Sequence, residues 1–237
     1  MKRMMRRVLA VLLVIGMLAT LMGCALLSSD ENRVTDLVQG NLDHVYLGKY
    51  EPKYLLLVEL NEEEAETQYQ MGLAYEAEYF AYYWGILGEN ETFDELDADL
   101  QQSIIDLYDE IYGYSSYDVE KAVRQSDGSY TVKVRIRPID IMEQAMTLYE
   151  NGTYLPLEVY FAKAAELDGD QLADETYWSL TNEYGHIIVE MVRSLLPELG
   201  YGEQKSQVIQ VDETEDGYLQ INEDDFAIFD EYVIYYP

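Results

Sequence analysis

Ser126-Asp127-Gly128-Ser129-Tyr130-Thr131-Val132-Lys133-Val134-Arg135-Ile136-Arg137-Pro138 is the stretch on which the fold turns. Tyr130, Val132, Val134 and Ile136 alternate with Thr131, Lys133, Arg135 and Arg137. That period of two is the mark of a strand buried on one face. The Asp127-Gly128 pair ahead of it suits a tight hairpin turn, because glycine accepts positive φ. Pro138 closes the strand, since it has no N–H to give to a ladder. The strand therefore expects a partner just before the turn, and Tyr117 to Gln125 supplies one.

Outward from this hairpin the period changes to that of helices. From Glu31 to Lys49, the residues Val34, Leu37, Val38, Val45 and Tyr46 recur at three- and four-residue spacing. Gly48 and Pro52 suit a stop there. Asn61 followed by Glu62-Glu63-Glu64 offers a cap and acids at the positive end of a second helix. Its stripe is Ala65, Tyr69, Leu73, Phe80, Trp84 and Leu87. Thr92 to Tyr112 reads as a third helix, with Phe93, Leu96, Leu100, Ile104, Leu107 and Ile111 facing in.

Beyond Pro138 the same order returns. Ile139 to Glu150 is helical, Asn151-Gly152 breaks it, and Leu155 to Leu167 resumes with Pro156 in the first turn. Asp168-Gly169 turns the chain into a long helix from Asp170 to Leu196, with Leu172, Leu180, Tyr184, Ile187, Ile188, Met191 and Leu195 inward. Gln204 to Val211 and Tyr218 to Ile221 are strands joined at Asp216-Gly217, and Asn222 caps a last helix to about Tyr235. The expected class is α+β and rich in helix. Two helix–helix–β-hairpin units are expected, their hairpins joining in one antiparallel sheet, with a C-terminal helix added. The weak internal repeat puts a boundary near Pro138, between residues 33–138 and 139–237, within one cooperative body.

The first thirty residues belong to a different argument. Lys2, Arg3, Arg6 and Arg7 precede an apolar run from Val8 to Met22, broken only by Gly16 and Thr20. The run is shorter than the ~20 residues a permanent membrane helix needs. A basic start and a short apolar stretch make a signal peptide over residues 1–23. Leu21-Met22-Gly23-Cys24 resembles the lipobox of bacterial lipoproteins. The resemblance implies that the peptide is removed and that Cys24 carries acyl chains, palmitate among them, with residues 24–32 as a tether. More than one chain on one residue gives a stable anchor. Cys24 is the single cysteine, so no disulfide forms within the chain and no thiolate remains for catalysis or metal binding.

The four basic residues named above precede Cys24, and the chain has 15 Lys+Arg against 46 Asp+Glu. The rest of the chain therefore sets 11 cations against all 46 acids, a formal charge of −35. Nucleic acid is excluded as a partner, because its affinity comes from cations meeting phosphates. The simplest use of the acidity is solubility. The 23 tyrosines are spread along the chain. They are expected to cap the edges of the core, rings inside and hydroxyls in water.

The order of lipobox, three acidic helices, the hairpin from Tyr117 through Ser126-Asp127-Gly128 to Arg137-Pro138-Ile139-Asp140-Ile141, further helices and an Asp216-Gly217-Tyr218 hairpin resembles uncharacterised lipoproteins of Gram-positive, Clostridia-type bacteria. The resemblance implies a place on the outer face of the cell membrane and an architecture. It implies no reaction, and Cys24 is the only residue whose role it carries over.

Chemistry-bearing constellations are few. His44 and His186 are the only histidines, and zinc needs about three or four ligands. His186, at the edge of an apolar stripe, is expected to be packed and hydrogen-bonded. No H-E-x-x-H, G-x-S-x-G or phosphate-cradling loop occurs. Carboxylate pairs are no signal at this acid content. Asp212-x-Thr214-x-Asp216-Gly217-x5-Glu223 has the spacing of an EF-hand calcium loop. A strand enters it, however, and an ordinary Asp-Gly hairpin before an acidic helix start accounts for the same residues. Lys121, Arg124, Lys133, Arg135 and Arg137 crowd into one hairpin. Lys133, Arg135 and Arg137 share a face that suits an anion or that simply pairs with acidic helices. The expectation is a non-enzymatic, surface-tethered lipoprotein without a cofactor. It would meet the membrane through Cys24 and bind a small molecule, a peptide or an envelope protein. The alternatives are an envelope hydrolase working through a carboxylate pair and a calcium-stabilised interaction module.

Overall fold

The computed structural model describes residues 30–167, 173–214 and 217–237. The signal segment, Cys24 and the tether up to residue 29 lie outside the described residues, as do Asp168-Gly169 and Asp216. The helices are α1 (Asp30–Leu47), α2 (Pro52–Val58), α3 (Glu62–Tyr83), α4 (Ala98–Tyr112), α5 (Ile141–Glu150), α6 (Leu155–Ala164), α7 (Asp174–Arg193) and α8 (Glu223–Asp230). The strands are β1 (Tyr117–Val119), β2 (Val123–Arg124), β3 (Tyr130–Ile136), β4 (Lys205–Glu213) and β5 (Leu219–Ile221). The class is α+β, as the alternating periods predict.

The chain forms two compact units that interleave in sequence. The first takes residues up to Gly72, Ser115–Pro138 and Gly202–Ile234, and the second takes Leu73–Tyr114, Ile139–Tyr201 and Tyr235–Pro237. This differs from sequential halves meeting at Pro138. The cause is the sheet: β3 pairs with β4 over its whole length, so both hairpins join one unit. The helices between them in sequence pack on one another instead.

In the first unit the strand order is β1-β3-β4-β5, with β2 also paired to β3, and all pairs are antiparallel. The register sets Tyr130 opposite Val211 and Val132 opposite Ile209, and all four side chains are fully buried. Val134 and Ile136 continue that face. α1 packs on it against β1, β3 and β5, and α8 packs against β4. Val34, Leu37, Val38, Leu42 and Tyr46 of α1 and Phe226 and Phe229 of α8 fill the core. The other sheet face, with Lys133 and Val208, is open to water. The strand expected from Tyr117 to Gln125 is interrupted. Ala122 is buried, and its N–H donates to Thr35 Oγ1 at 2.9 Å instead of to a strand.

Pro52 starts a helix rather than ending one. It stands in the first turn of α2, where its missing N–H costs nothing. Seven residues are too few for periodicity to reveal, and Glu59 ends the helix in the left-handed region at φ 55. Asn61 caps α3 as expected. Its Oδ1 accepts from Glu64 N–H at 3.0 Å, and Glu64 Oε2 accepts from Asn61 N–H at 3.0 Å.

In the second unit α4 buries Leu100, Ile104, Leu107 and Ile111, as its spacing predicts. The helix expected from Thr92 instead opens with a 3-10 turn, Phe93–Glu95, and restarts at Ala98. The break falls where Asp97 N–H donates to Asn182 Oδ1 at 2.9 Å. α7 packs on α4, α5 and α6. Its buried face is Thr181, Asn182, Gly185, Ile188, Val189, Met191 and Val192, so Ile188 and Met191 face in as expected, with Leu180, Tyr184 and Ile187 only partly covered. The inward stripe is thus turned from the expected one, because Gly185 lets Leu100 approach its backbone. Trp84 and Leu87 fall beyond the end of α3 but remain buried.

Gly40 in α1 has the same function in the first unit. A Cβ there would lie 2.4 Å from Cδ2 of Tyr54 and 2.6 Å from its Cβ. Alanine normally adds about 1 kcal/mol to a helix over glycine. Here overpacking should outweigh that gain, so Gly40→Ala is expected to destabilise the protein by about 1–2 kcal/mol. Urea denaturation followed by far-UV circular dichroism measures it, and a neutral or stabilising result would refute the close packing of α1 on α2.

Candidate functional site

The alternation of β3 brings the predicted anion-binding cations to the open sheet face, but not empty-handed. Arg135 Nη2 donates to Asp118 Oδ2 at 2.6 Å, and Glu120 Oε1 lies 3.6 Å from Arg135 and 3.8 Å from Lys133. Arg137 donates to Ser116 Oγ at 2.8 Å and 3.3 Å. The partner acids come from β1 and the residue after it, opposite in register, and not from helices over the face. Asp118 faces Arg135 as a direct cross-strand pair. Beside them is a shallow depression of about 300 Å³ lined by Ser116, Asp118, Arg135, Arg137 and Gln204. An anion entering it must first displace Asp118.

Arg135 and Asp118 are well exposed, and such pairs are worth little. Arg135→Gln is therefore expected to cost under ~1 kcal/mol, with most of that cost lost in high salt as the charges are screened. Thermal melts at low and molar salt check this. A loss that persists in salt would mean that the arginine stem, rather than its charge, carries the effect.

The proposed calcium ligands are placed only in part. Asp212 ends the outer row of β4, and its Oδ1 accepts from Gln210 Nε2 at 2.9 Å. Thr214 Oγ1 accepts from Tyr218 N–H at 3.1 Å, and Thr214 also closes the turn through its backbone to Gly217 and Tyr218. Gly217 takes the positive φ, 83°, that the turn requires. Glu223 is the first residue of α8, whose cap is Asn222 Oδ1 accepting from Asp225 N–H at 3.0 Å. Asp216 lies outside the described residues. Among the described residues no group of three or more His, Cys, Asp or Glu side chains is placed to hold a metal ion.

The two histidines reverse the expectation. His44 is the packed one, 3 % exposed, with Nε2 2.7 Å from Ala65 O and Nδ1 3.3 Å from Tyr54 Oη. Burial pushes its pKa below the usual histidine value, against opposing pulls from the Ala65 carbonyl and Glu66. His186 stands at the surface, Nε2 3.3 Å from Asp99 Oδ2, its side chain 39 % exposed. The turned stripe of α7 leaves it there.

Sequence reading missed the tyrosine–carboxylate pairs. In the first unit Tyr46 Oη donates to Asp230 Oδ1 at 2.8 Å across 184 residues of sequence. Tyr117 Oη donates to Asp43 Oδ1 at 2.7 Å. The Tyr46 ring packs among Phe226, Phe229 and Tyr117. Burial pushes the Tyr117 hydroxyl well above its ordinary pKa, and Asp43 adds to the shift. In the second unit the hydroxyls of Tyr108 and Tyr236 bond to each other, with Tyr79 and Tyr83 edge-on to the Tyr236 ring at 5.1 and 4.8 Å. Tyr184 donates to Trp84 O at 2.9 Å, and Tyr177 to Glu91 Oε1 at 2.6 Å. These hydroxyls find protein acceptors, where water was expected. The one available signal was the need of a core tyrosine for a polar partner.

Burial pushes the Asp230 carboxyl up to about 6, the Tyr46 bond pulls it down, and Glu231 adds a further push upward. A raised carboxyl binds its proton more tightly in the folded state. Its favourable contribution is therefore complete below the unfolded value near 4 and is lost as pH rises through 6. Asp230→Asn keeps the acceptor for Tyr46 and removes the charge. It should gain about 1–2 kcal/mol over wild type at pH 7.5 relative to pH 4, allowing for partial solvent screening. Paired denaturation curves at the two pH values test this, and a pH-independent difference would contradict the assigned burial.

No family model and no curated protein matches the chain. Its fold is similar to the crystal structure of YcdA from Bacillus subtilis, described as a "putative lipoprotein", with a TM-score of 0.56 and 13% identity. The match covers 85% of this chain and 56% of that one, so this chain spans little more than half of the length of YcdA. At that identity the likeness is one of fold. Among the described residues no helix is long and apolar enough to cross a membrane.

Proposed function

We propose that this protein is a lipoprotein held on the outer face of a bacterial cell membrane by acyl chains on Cys24, and that its body binds rather than catalyses. The observation that carries this is the sequence Leu21-Met22-Gly23-Cys24 at the end of a basic, then apolar, leader. A solitary cysteine placed there has a use as an acyl acceptor and no partner for a disulfide. The fold shared with YcdA of Bacillus subtilis, whose description includes "lipoprotein", supports the same location. The binding role rests on the absence of catalytic motifs from the sequence and on the acidic body. Its ligand class is a small molecule, a peptide or another envelope protein.

In cells given an alkyne fatty acid, the wild-type chain should take up label and partition into the detergent phase of Triton X-114. Cys24→Ala should lose the label and move to the aqueous phase. Equal labelling of the variant would overturn the assignment. Turnover of any member of a glycan or peptide panel by the detergent-solubilised full chain would overturn the non-enzymatic role.

A further inference from the structure

A short tether constrains which end of the first unit meets the membrane. Six Cα steps separate Cys24 from Asp30, where α1 begins. At about 3.8 Å each, they span at most about 23 Å in any conformation. The end of the unit at Asp30 is therefore fixed near the headgroups into which the Cys24 lipid inserts.

Contacts within the unit identify what else lies at that end. Ala122 N–H donates to Thr35 Oγ1 in the second turn of α1, which brings the β2–β3 hairpin alongside the start of the helix. The far end of α1 meets the other end of the sheet, where Tyr117 Oη reaches Asp43 and Tyr117 pairs with Ile136. α1 thus runs along β3 from its Tyr130 end to its Ile136 end. Its 18 residues are about 27 Å long, more than the tether can span. The unit cannot turn end over end while Cys24 stays in the bilayer.

The hairpin at the tether end has the chemistry of a headgroup contact. Val123 is 59 % exposed, with Lys121 and Arg124 exposed on either side of it. Among the described residues neither cation is ion-paired, although acids outnumber bases 46 to 15 in the chain. Arg124 stands over the Tyr130 ring, 5.8 Å from its centroid, and keeps its guanidinium at the surface. We propose that the strand side of this hairpin, with Lys121, Val123 and Arg124, rests against the phospholipid headgroups beside the Cys24 anchor. The proposal builds on the lipoprotein assignment above and adds the face and the residues. Asp30, Glu31, Asp127 and Glu213 lie at the same end, so the two cations act only at the short range that the tether enforces.

The test uses the full acylated chain, reconstituted in vesicles of phosphatidylcholine and phosphatidylglycerol with a headgroup-attached spin-label quencher. Acylation consumes the Cys24 thiol, so a fluorophore reports only from an introduced cysteine. Val123→Cys marks the hairpin. Gln204→Cys, next to the Lys205–Ile136 pair, marks the opposite end of the sheet. Quenching should be several-fold stronger at position 123. Adding Lys121→Glu and Arg124→Glu should reduce it on vesicles containing phosphatidylglycerol and leave it unchanged on phosphatidylcholine alone. Circular dichroism controls for folding. Equal quenching at the two sites, or stronger quenching at position 204, in protein shown by mass spectrometry to be acylated, would overturn the proposed face. Unchanged quenching in the charge-reversed protein would overturn the roles of Lys121 and Arg124. A mass showing Cys24 unmodified would instead refute the lipoprotein assignment on which the proposal stands.

Discussion

The first unit depends on one ladder. Seven consecutive residues of β3, Tyr130 to Ile136, pair antiparallel with Val211 back to Lys205. The pairing joins two hairpins separated by the helices α5, α6 and α7 in sequence. Alternation in β3, matched at one end of β4, holds it in place: Tyr130 and Val132 meet Val211 and Ile209 inside. A slip by one residue would send that whole set into water and bring Lys133 and Arg135 into the core. α1 and α8 close over this face, and the open face carries Lys133, Arg135 and Gln210 with Val208 among them.

A second constraint is the shortage of cations. With so few lysines and arginines, carboxylates near the core cannot all be met by opposite charge. Tyrosine supplies a donor that needs no counter-charge and brings a ring to bury. Asp230, Asp43 and Glu91 are each met this way, by Tyr46, Tyr117 and Tyr177. The cations that exist are spent at exposed places such as Arg135 and Lys163, where each pair adds little to stability. Other tyrosines bond to backbone carbonyls or to one another, as Tyr184 does to Trp84 O and Tyr108 to Tyr236, so tyrosine content by itself does not outline a ligand surface.

The same scarcity gives the β2–β3 hairpin its character. Lys133 and Arg135 are neutralised by Asp118 and Glu120, whereas Lys121 and Arg124 face solvent at the Asp30 end of α1. In the proposed arrangement, location comes from Cys24 and orientation from the path of α1 along β3. Neither requires a cavity or a catalytic cluster.

The sequence by itself determined what is local. The strand from Tyr130 to Ile136, the Gly128 and Gly217 turns and the Asn61 and Asn222 caps were all legible, because each rests on neighbouring residues. The α+β class and the single sheet followed from the order of these elements. The tertiary structure alone decided the interleaving of the two units, the rotation of α7 about Gly185, the helix after Pro52, the exposure of His186 and the burial of His44. It also decided that Asp118 and Glu120 neutralise Lys133 and Arg135, and that Tyr46 finds Asp230. These are contacts between residues far apart in sequence or on different elements. Register, close approach and burial select them, and no periodicity encodes those quantities in a single chain.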